Sequence, residues 1–310
     1  MSLKMNRRNF TGAVLSGSLA ALPLSAAASP PPRKNSVRIG FNLSTLREFR
    51  LPLLKELEIV HQGGFRSVEL WIDKVRKYLA EGGSLAELNR FLSDHDLKVE
   101  NMIGFVCWIH KEEKERQKGL DLMKSDMELT ARLGGRCIAA CAAGARNEEI
   151  KDLDFLAQCY RDVCKAGLST GVRPLLELWG SSKLLSRLSV VLAIASGSEM
   201  ENAGLLLDAY HLYRGGNSFS GLNLIAGSAM PVFHLNDYPA SPAREELKDK
   251  DRVFPGDGIC PLKKILDDLF RNGFNGVFSL ELFNLDYCRT MRPEEIVRTG
   301  YQKMQKTVFF

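Results

Sequence analysis

The arrangement of apolar residues from Val37 to the C-terminus limits the fold more than any other feature of the sequence. Short runs rich in Leu and β-branched residues alternate with longer stretches that carry apolar residues at helical spacing. The short runs are VRIGFN, SVELW, VENMIGF, CIAACAAG, RPLLELW, GLLLDAYH, PVFHLND and GVFSLELF. They are continuously apolar, as expected of parallel strands covered by helices. Eight such units in residues 37–310 predict an α/β fold of the (β/α)8 TIM barrel type, which typically takes about 250 residues.

The stretches between the runs carry signals for helix ends. Ser84 and Glu87 fit a capping box at the start of one helix. Glycines fall where helices should stop, at Gly63, Gly64, Gly134, Gly135, Gly171 and Gly273. The competing fold is an open doubly wound sheet, which usually has a glycine-rich phosphate loop after its first strand; GFNLSTLREFR is no such loop. No linker interrupts residues 37–310, so we predict a single domain there.

The beginning of the chain predicts an export signal followed by a linker. In residues 1–28, basic NRRNFTG precedes the mildly apolar AVLSGSLAALPL, and SAAAS offers an A-x-A cleavage site ending at Ala28. The paired arginines before Phe10 are similar to those of bacterial twin-arginine signals. The apolar run is too short to span a bilayer, and SPPPRKNS at 29–36 cannot form a helix. We expect an exported, periplasmic protein without a membrane span; an unstructured basic tail is the alternative.

Charge and cysteine content exclude several classes of partner. The formal net charge is +5, and Lys4, Arg7 and Arg8 account for three of these charges, so residues 29–310 carry only +2. A body so nearly balanced gives no reason to expect nucleic acid as a partner. The seven cysteines form no CxxC pair, and their odd number does not suggest a disulfide framework. We assign them no function.

Each of the last four apolar runs offers one ionisable residue near the carboxyl end of its predicted strand: Glu177, Asp208, His234 and Glu281. Chemistry in a (β/α)8 barrel collects at the carboxyl ends of the strands, so these side chains should converge. Three carboxylates close together repel one another unless a cation lies between them. The set therefore predicts a site for Mn²⁺, Mg²⁺, Co²⁺ or Zn²⁺. Any one of these residues alone is as easily a helix cap, an ion-pair partner or a core histidine.

With these residues the chain resembles the xylose isomerase-like TIM barrels, and most closely their sugar isomerase/epimerase branch, which includes the ketose 3-epimerases. The resemblance extends from Val37 to the C-terminus and is carried by LLELW, LDAYH, FHLND, RVFPGDG and SLELF. The family's arginine followed by Gly-x-Gly is matched by Arg252 and Gly256-Asp257-Gly258. Its histidine three residues after the sixth-strand aspartate is matched by His211.

The resemblance implies a metal-dependent isomerase or epimerase. Its four ligands would be Glu177, Asp208, His234 and Glu281. The family mechanism implies that Glu177 and Glu281 are also catalytic, because one removes a proton beside a substrate carbonyl and the other returns one through an enediolate. His211 and Arg252 would bind substrate oxygens. A surface arginine and a capping histidine remain the alternatives for these two.

The first half of the barrel offers a second group of candidates. Glu69 and Trp71 end the second run, and Trp108 and His110 follow the third run in the stretch GFVCWIH. We expect these residues to form the wall and polar rim of a carbohydrate pocket, because aromatic faces suit the C–H faces of sugars. Glu69 is expected in the site but not as a metal ligand. Trp108 suits the core equally well.

Three other functions remain open. A sugar or inosose dehydratase would begin with the same proton abstraction and then lose a hydroxyl group. An endonuclease IV type of nuclease shares the Asp-x-x-His pattern of Asp208 and His211, but five histidines in all are too few for its metal cluster. A sugar-binding module would not need paired glutamates. Export and the absence of a glycine-rich phosphate loop favour a carbohydrate substrate without a phosphate group, and self-association as a homo-oligomer stays open.

Overall fold

The structure is a computed structural model that describes residues 37–309; the expected export signal at 1–28 and linker at 29–36 lie outside this range. Eight strands, all parallel to their neighbours, form a closed barrel. They are β1 (Arg38–Asn42), β2 (Ser67–Trp71), β3 (Lys98–Ile103), β4 (Cys137–Ala140), β5 (Arg173–Glu177), β6 (Gly204–Asp208), β7 (Val232–His234) and β8 (Val277–Leu280). The barrel closes where β1 pairs with β8, with Ile39 opposite Phe278. The predicted (β/α)8 fold is confirmed.

Ten α-helices surround the strands in the described range. They are α1 (Leu53–Gln62), α2 (Ile72–Ala80), α3 (Leu85–Asp94), α4 (Glu113–Arg132), α5 (Leu153–Thr170), α6 (Leu188–Gly197), α7 (Ala209–Arg214), α8 (Leu262–Arg271), α9 (Leu285–Thr290) and α10 (Pro293–Phe309). No helix of residues 37–309 is long and apolar enough to cross a membrane. Each strand matches one of the apolar runs, so hydrophobic patterning located the elements of the fold.

Local signals explain where particular helices begin and end. The Ser84 hydroxyl accepts a hydrogen bond from Glu87 N at 3.1 Å, which is one half of the predicted capping box. The Glu87 carboxylate accepts from the Tyr78 hydroxyl instead. Gly171 ends α5 with a left-handed backbone at φ 73°, a conformation that glycine adopts without steric cost.

The run GLLLDAYH is divided between a strand and a helix. β6 stops at Asp208, whose carboxylate accepts a hydrogen bond from His211 N at 2.8 Å and so caps α7. A carboxylate in this position both ends the strand and begins the helix. The apolar residues that follow therefore belong to α7 and not to the sheet.

Strands β5 and β6 are joined at their amino ends by a buried tyrosine. The Tyr160 hydroxyl on α5 lies 2.9 Å from both Pro174 O and Gly204 O, and Gly204 N donates to it at 3.1 Å. These strands carry two of the candidate ligands at their other ends. The tyrosine therefore fixes the base of the part of the barrel that presents Glu177 and Asp208.

Candidate active site and metal centre

The four residues at the ends of β5 to β8 lie at one edge of the barrel, as predicted. Glu177, Asp208 and His234 are the last residues of their strands, and Glu281 directly follows β8. Asp208 and His234 are paired across neighbouring strands. All four side chains are buried, with exposed fractions of 4% or less. Buried ionisable groups need charged or hydrogen-bonding partners, so their surroundings are informative.

Three of the four residues form a compact group that could hold a metal ion. One ligand atom from each of Asp208, His234 and Glu281 lies within 4.8 Å of the others. His234 Nδ1 is 3.1 Å from Glu281 Oε2 and 3.7 Å from Asp208 Oδ2. A set of one imidazole nitrogen and carboxylate oxygens suits several divalent cations, including zinc and manganese. Glu177, the fourth predicted ligand, does not belong to this group.

Glu69 determines which nitrogen of His234 faces the carboxylates. Its two oxygens lie 3.0 and 3.1 Å from His234 Nε2, and Nε2–H donates to them. When Nε2 carries the hydrogen of a neutral ring, the lone pair on Nδ1 is directed at Asp208 and Glu281, and Nδ1 makes no hydrogen bond with a residue of 37–309. Metal-binding histidines characteristically donate their second ring N–H to a carboxylate. The residues present therefore fit a cation beside Nδ1.

The cluster attracts positive charge. Burial by itself would lower the pKa of His234, but the Glu281 and Glu69 carboxylates raise it well above its usual value. Burial would likewise raise the pKa of Glu69, whereas the charge and hydrogen bond of His234 lower it. For Glu69, the positive charge of His234 thus outweighs the cost of burying the carboxylate.

Arg252 is buried against the same carboxylates. Its Nη1 donates to Glu281 Oε2 at 2.6 Å and to Asp208 Oδ2 at 3.2 Å, and its Nη2 donates to Asp249 Oδ1 at 2.8 Å. The guanidinium also lies 3.0 Å from His211 Nε2, which accepts from it. Burial, and then the charge of Arg252, lowers the pKa of His211 and keeps its ring neutral. Arg252 and His211 thus adjoin the predicted ligands and also line the adjacent cleft.

Glu177 is different from the other carboxylates because one of its oxygens has no partner. Oε2 is buried and makes no hydrogen bond with any residue in 37–309. Burial, and then the negative charge of Glu281, raises the pKa of Glu177 to about 8. The side chain lines the cleft above the cluster. An unpaired carboxylate of this kind suits either a cation or a proton on a bound molecule.

The cleft beside the cluster has a volume of about 240 Å³ and a polar floor below an aromatic rim. Glu177, Glu281 and Arg252 contribute charged groups to it. Its aromatic residues are Trp71, Phe105, Trp179 and Phe283. Such a combination of ionisable groups and apolar walls is typical of small-molecule sites.

Two of the predicted pocket residues do not reach this cleft. Trp108 is buried, and its Nε1 donates to Cys141 O at 2.7 Å while its ring packs near Tyr160. His110 Nδ1 accepts from Glu112 N at 3.1 Å, close to the start of α4. Neither side chain lines the cleft, so the geometry gives no support to their assignment to substrate binding.

The predictions for Glu69 and Trp71 are separated by the structure. Trp71 lines the cleft, whereas Glu69 lies below it and contacts His234. Glu69 and Trp71 are two residues apart on β2, so their side chains point to the same side of the strand and lie in successive layers along the barrel axis. Glu69 therefore positions His234 and does not line the cleft.

Sequence reasoning missed several buried amides around the cluster. Asn42 Nδ2 donates to Glu281 Oε1 at 3.1 Å and to Glu69 Oε1 at 3.3 Å, and its Oδ1 accepts from Trp71 Nε1 at 2.8 Å. Asn236 Nδ2 donates to Asp208 Oδ2 at 2.9 Å. Both asparagines lie at or just after strand ends, so the rule that selected ionisable residues would have found them if applied to amides.

The fold and the site together define a (β/α)8 barrel with a candidate metal centre at the carboxyl ends of its strands. Residues 57–307 match the family described as Xylose isomerase-like TIM barrel, and the chain belongs to this family. A solved structure described as the IOLI protein with a binding zinc atom has a TM-score of 0.80 and 25% identity, covering 87% of this chain and 98% of that one. The cluster and this relative together suggest one divalent metal ion.

Curated relatives support an isomerase. An inosose isomerase of Bacillus velezensis is 27% identical over 278 residues, covering 88% of this chain and 97% of the relative. An inosose isomerase of Bacillus subtilis is 26% identical, with coverage of 85% and 95%. A 3-dehydroshikimate dehydratase of Pseudomonas aeruginosa is 24% identical over 75% of this chain but only 36% of its own length. These relatives confirm the prediction of an isomerase, and the dehydratase alternative has weaker support.

Proposed function

We propose that this protein is a metal-dependent isomerase or epimerase of a carbohydrate without a phosphate group. The observation that carries the proposal is the unpaired, buried Oε2 of Glu177, which lies beside the cleft and next to the Asp208, His234 and Glu281 cluster. The inosose isomerase relatives, which match over most of the chain, support the type of reaction.

The metal would be held by Asp208, His234 and Glu281, with Glu177 as the proposed fourth ligand. A bound divalent cation would polarise a substrate carbonyl and acidify the neighbouring C–H group. Mn²⁺, Mg²⁺, Co²⁺ and Zn²⁺ are the candidates, because one imidazole and several carboxylates suit borderline and hard cations. Glu69 and Asn42 would keep the ligands in place through their hydrogen bonds.

Glu177 and Glu281 would transfer the proton. They belong to strands five and eight, so a substrate in the cleft can lie between them. Without a bound cation, burial and then the charge of Glu281 raise the pKa of Glu177 to about 8, so its carboxylate binds a proton more tightly than an exposed glutamate does. The positive charge of Arg252, whose Nη groups already bind Glu281, Asp208, Asp249 and His211, would stabilise the negative charge that develops in the enediolate. His211, which lines the cleft, would contact the substrate oxygens. The aromatic rim would keep water from the reacting carbon.

Solvent exchange tests this assignment. Purified protein supplied with Mn²⁺ should transfer deuterium from ²H₂O to a carbon next to the carbonyl of unphosphorylated ketoses or inososes. The Glu177→Gln variant should exchange about 10²- to 10⁴-fold more slowly, which is the usual contribution of a general base. The matched control is Glu199→Gln, at an exposed residue paired with Arg161, which should exchange at the normal rate. Unchanged exchange in Glu177→Gln would exclude the proposed role of Glu177.

A dehydratase is the second candidate, and two 3-dehydroshikimate dehydratases among the relatives favour it. The first proton abstraction would be the same, but a β-hydroxyl would then leave as water. Mass spectrometry separates the two reactions, since an isomerase product has the mass of its substrate and a dehydratase product is lighter by one water. Detection of a dehydrated product would contradict the isomerase proposal and support the dehydratase.

Export is proposed on the sequence of residues 1–28 alone. In a bacterial host with a twin-arginine translocase, we expect mature protein in the periplasm with its first residue after Ala28. Replacing Arg7 and Arg8 together by lysine should leave the protein in the cytoplasm. Periplasmic protein that retains residues 1–28 would contradict the predicted cleavage.

A further inference from the structure

Two arginines with exposed side chains place positive charge at the rim of the cleft. Arg47 and Arg146 both line it and are exposed, in contrast to the buried Arg252. Arg252 contacts carboxylates, but neither Arg47 nor Arg146 forms an ion pair or a hydrogen bond with a carboxylate of residues 37–309. The charge of the two rim arginines is therefore available to a bound molecule.

Aromatic rings hold both rim arginines in place. The Arg47 guanidinium lies 4.9 Å from the centroid of Trp71 and 6.0 Å from that of Phe283. The Arg146 guanidinium lies 5.9 Å from the centroid of Trp179. Cation–π contacts of this kind restrict a long side chain without neutralising its charge. Both arginines thus contact the aromatic rim of the cleft and keep their charge there.

The aromatic residues connect the two arginines into one arc. Trp71 packs against Phe283 at 6.2 Å and against Phe105 at 5.1 Å, and Phe105 packs against Trp179 at 6.1 Å between ring centroids. Phe105 is 49% exposed, which is unusual for a phenylalanine. An exposed ring in the middle of a cleft rim suits the C–H face of a carbohydrate. Arg146 and Arg47 stand at the two ends of this arc.

Arg146 has a second polar group beside it. Its Nη2 donates to the Ser181 hydroxyl oxygen, so the Ser181 proton is free to be donated elsewhere. Ser181 also lines the cleft and follows Glu177 by four residues. A guanidinium with unused N–H groups next to a hydroxyl donor matches the planar acceptor pair of a carboxylate.

We propose that the cleft selects a carbohydrate that carries a carboxylate, with Arg146 and Ser181 binding this group and Arg47 adding positive charge from the other end of the rim. This inference names the substrate class of the proposed isomerase site and so rests on the proposed function. Arg146, Phe105 and Glu177 line the same cleft, so a carbohydrate whose carboxylate binds Arg146 can also contact Phe105 and Glu177. A phosphate group is the other anion that such an arginine can bind, and it requires a separate measurement.

Isothermal titration calorimetry on the Mn²⁺-supplied protein tests the proposal with D-glucuronate, D-glucose and D-glucose 6-phosphate. Glucuronate should bind about tenfold or more tightly than glucose, because hydrogen bonds to charged groups are the stronger ones. The preference should weaken as salt rises, since the rim arginines are exposed. Equal affinities for glucuronate and glucose, or tightest binding of glucose 6-phosphate, would overturn the proposal.

Variants show whether a preference for glucuronate over glucose comes from Arg146 or from the metal ion. Arg146→Gln should weaken glucuronate binding about tenfold and leave glucose within about twofold, whereas a carboxylate bound only to metal would not respond. Arg146→Lys should lose less, because it keeps the charge without the fork. The matched control is Arg289→Gln, at an exposed arginine paired with Asp286 outside the cleft. Equal weakening of both sugars in Arg146→Gln would contradict the assignment.

The binding measurement does not require turnover, so it fails independently of the proposed function. Arginine-dependent preference for glucuronate supports anion selection even in a protein that shows no deuterium exchange, a result that would reject only the isomerase proposal. Deuterium exchange confined to neutral sugars, without any preference for glucuronate, would reject anion selection and retain the isomerase.

Discussion

The two halves of the barrel contribute to the site in different ways. Strands β5 to β7 each end in an ionisable residue that faces the cluster or the cleft, and Glu281 directly follows β8. From below, Asn42 of β1 contacts Glu281 and Glu69 of β2 contacts His234, while Asn101 of β3 donates to Glu69. Strand β4, with the sequence CIAA, has no ionisable side chain other than a buried cysteine thiol. Strands β5 to β8 therefore carry the candidate reactive groups, and strands β1 to β3 carry residues that position those groups.

The difference shows how one (β/α)8 barrel divides its buried polar groups. A proposed ligand such as His234 needs a fixed tautomer as well as a fixed position, and β7 provides only the position. Glu69 reaches it from across the barrel interior and supplies the tautomer. The site thus depends on strands that contribute no proposed ligand.

The largest effect on the site is expected from substituting a proposed metal ligand in the second half of the barrel. Asp208→Asn removes a charge from the cluster but keeps an oxygen that can cap α7, so the fold should be retained. Metal affinity should fall by at least about a hundredfold, beyond the usual effect of residues that only support ligands. Metal content by inductively coupled plasma mass spectrometry checks this. Asp152→Asn, at the cap of α5, is the matched control, and an equal loss of metal there would contradict the assignment.

A buried carboxylate of the first half should affect stability and not chemistry. Burial raises the pKa of Glu56 to about 7 although Lys74 is its ion-pair partner. The folded protein then binds this proton more tightly than the unfolded chain does. The resulting stabilisation is complete below about pH 4.5 and is lost as the pH rises through 7.

The Glu56→Gln variant lacks this titration. Between pH 4.5 and 8 the free energy of unfolding of the wild type should therefore fall by about 3 kcal/mol relative to that of the variant. Urea unfolding across this range measures the change. Glu81→Gln, at an exposed residue, should stay within about 0.5 kcal/mol of the wild type throughout. A constant difference between Glu56→Gln and the wild type would show that Glu56 does not titrate in this window.

Glu69→Gln tests the positioning role of the first half. Loss of the carboxylate weakens the hydrogen bond that holds His234 Nε2–H, so metal affinity should fall about 10- to 100-fold. A chelator competition titration gives the affinity. Glu100→Gln is the control, because Glu100 is a strand carboxylate of the same half that pairs with Arg38 instead of the cluster. If Glu69→Gln binds metal like the wild type, the division between the two halves is wrong.

The smallest effect is expected at His110, which the sequence placed in the pocket. Since its side chain does not line the cleft, His110→Ala should change KM and kcat by less than about twofold. Steady-state kinetics with any substrate found by deuterium exchange measures this. A KM raised tenfold with unchanged kcat would restore His110 to the substrate site.

The positions of the eight strands followed from the sequence because a parallel strand covered by helices is mostly apolar. The same pattern placed Glu177, Asp208, His234 and Glu281 at one edge, since the carboxyl ends of parallel strands meet there. The direction in which the Trp108 side chain points could not be predicted from the sequence. Strand β3 ends at Ile103, and beyond it the chain is irregular, so alternation no longer indicates which way a side chain faces.

The sequence by itself thus determined the barrel, its order of strands and the residues that its strand ends bring together. Only the tertiary structure decided that Glu69 contacts His234, that Arg252 lies against Asp208 and Glu281, and that Arg47 and Arg146 flank one aromatic arc. Hydrophobic periodicity is a local property that each segment carries within itself. The contacts of the site join residues far apart along the chain, and their geometry is set by loops and by packing across the barrel, which no local pattern encodes.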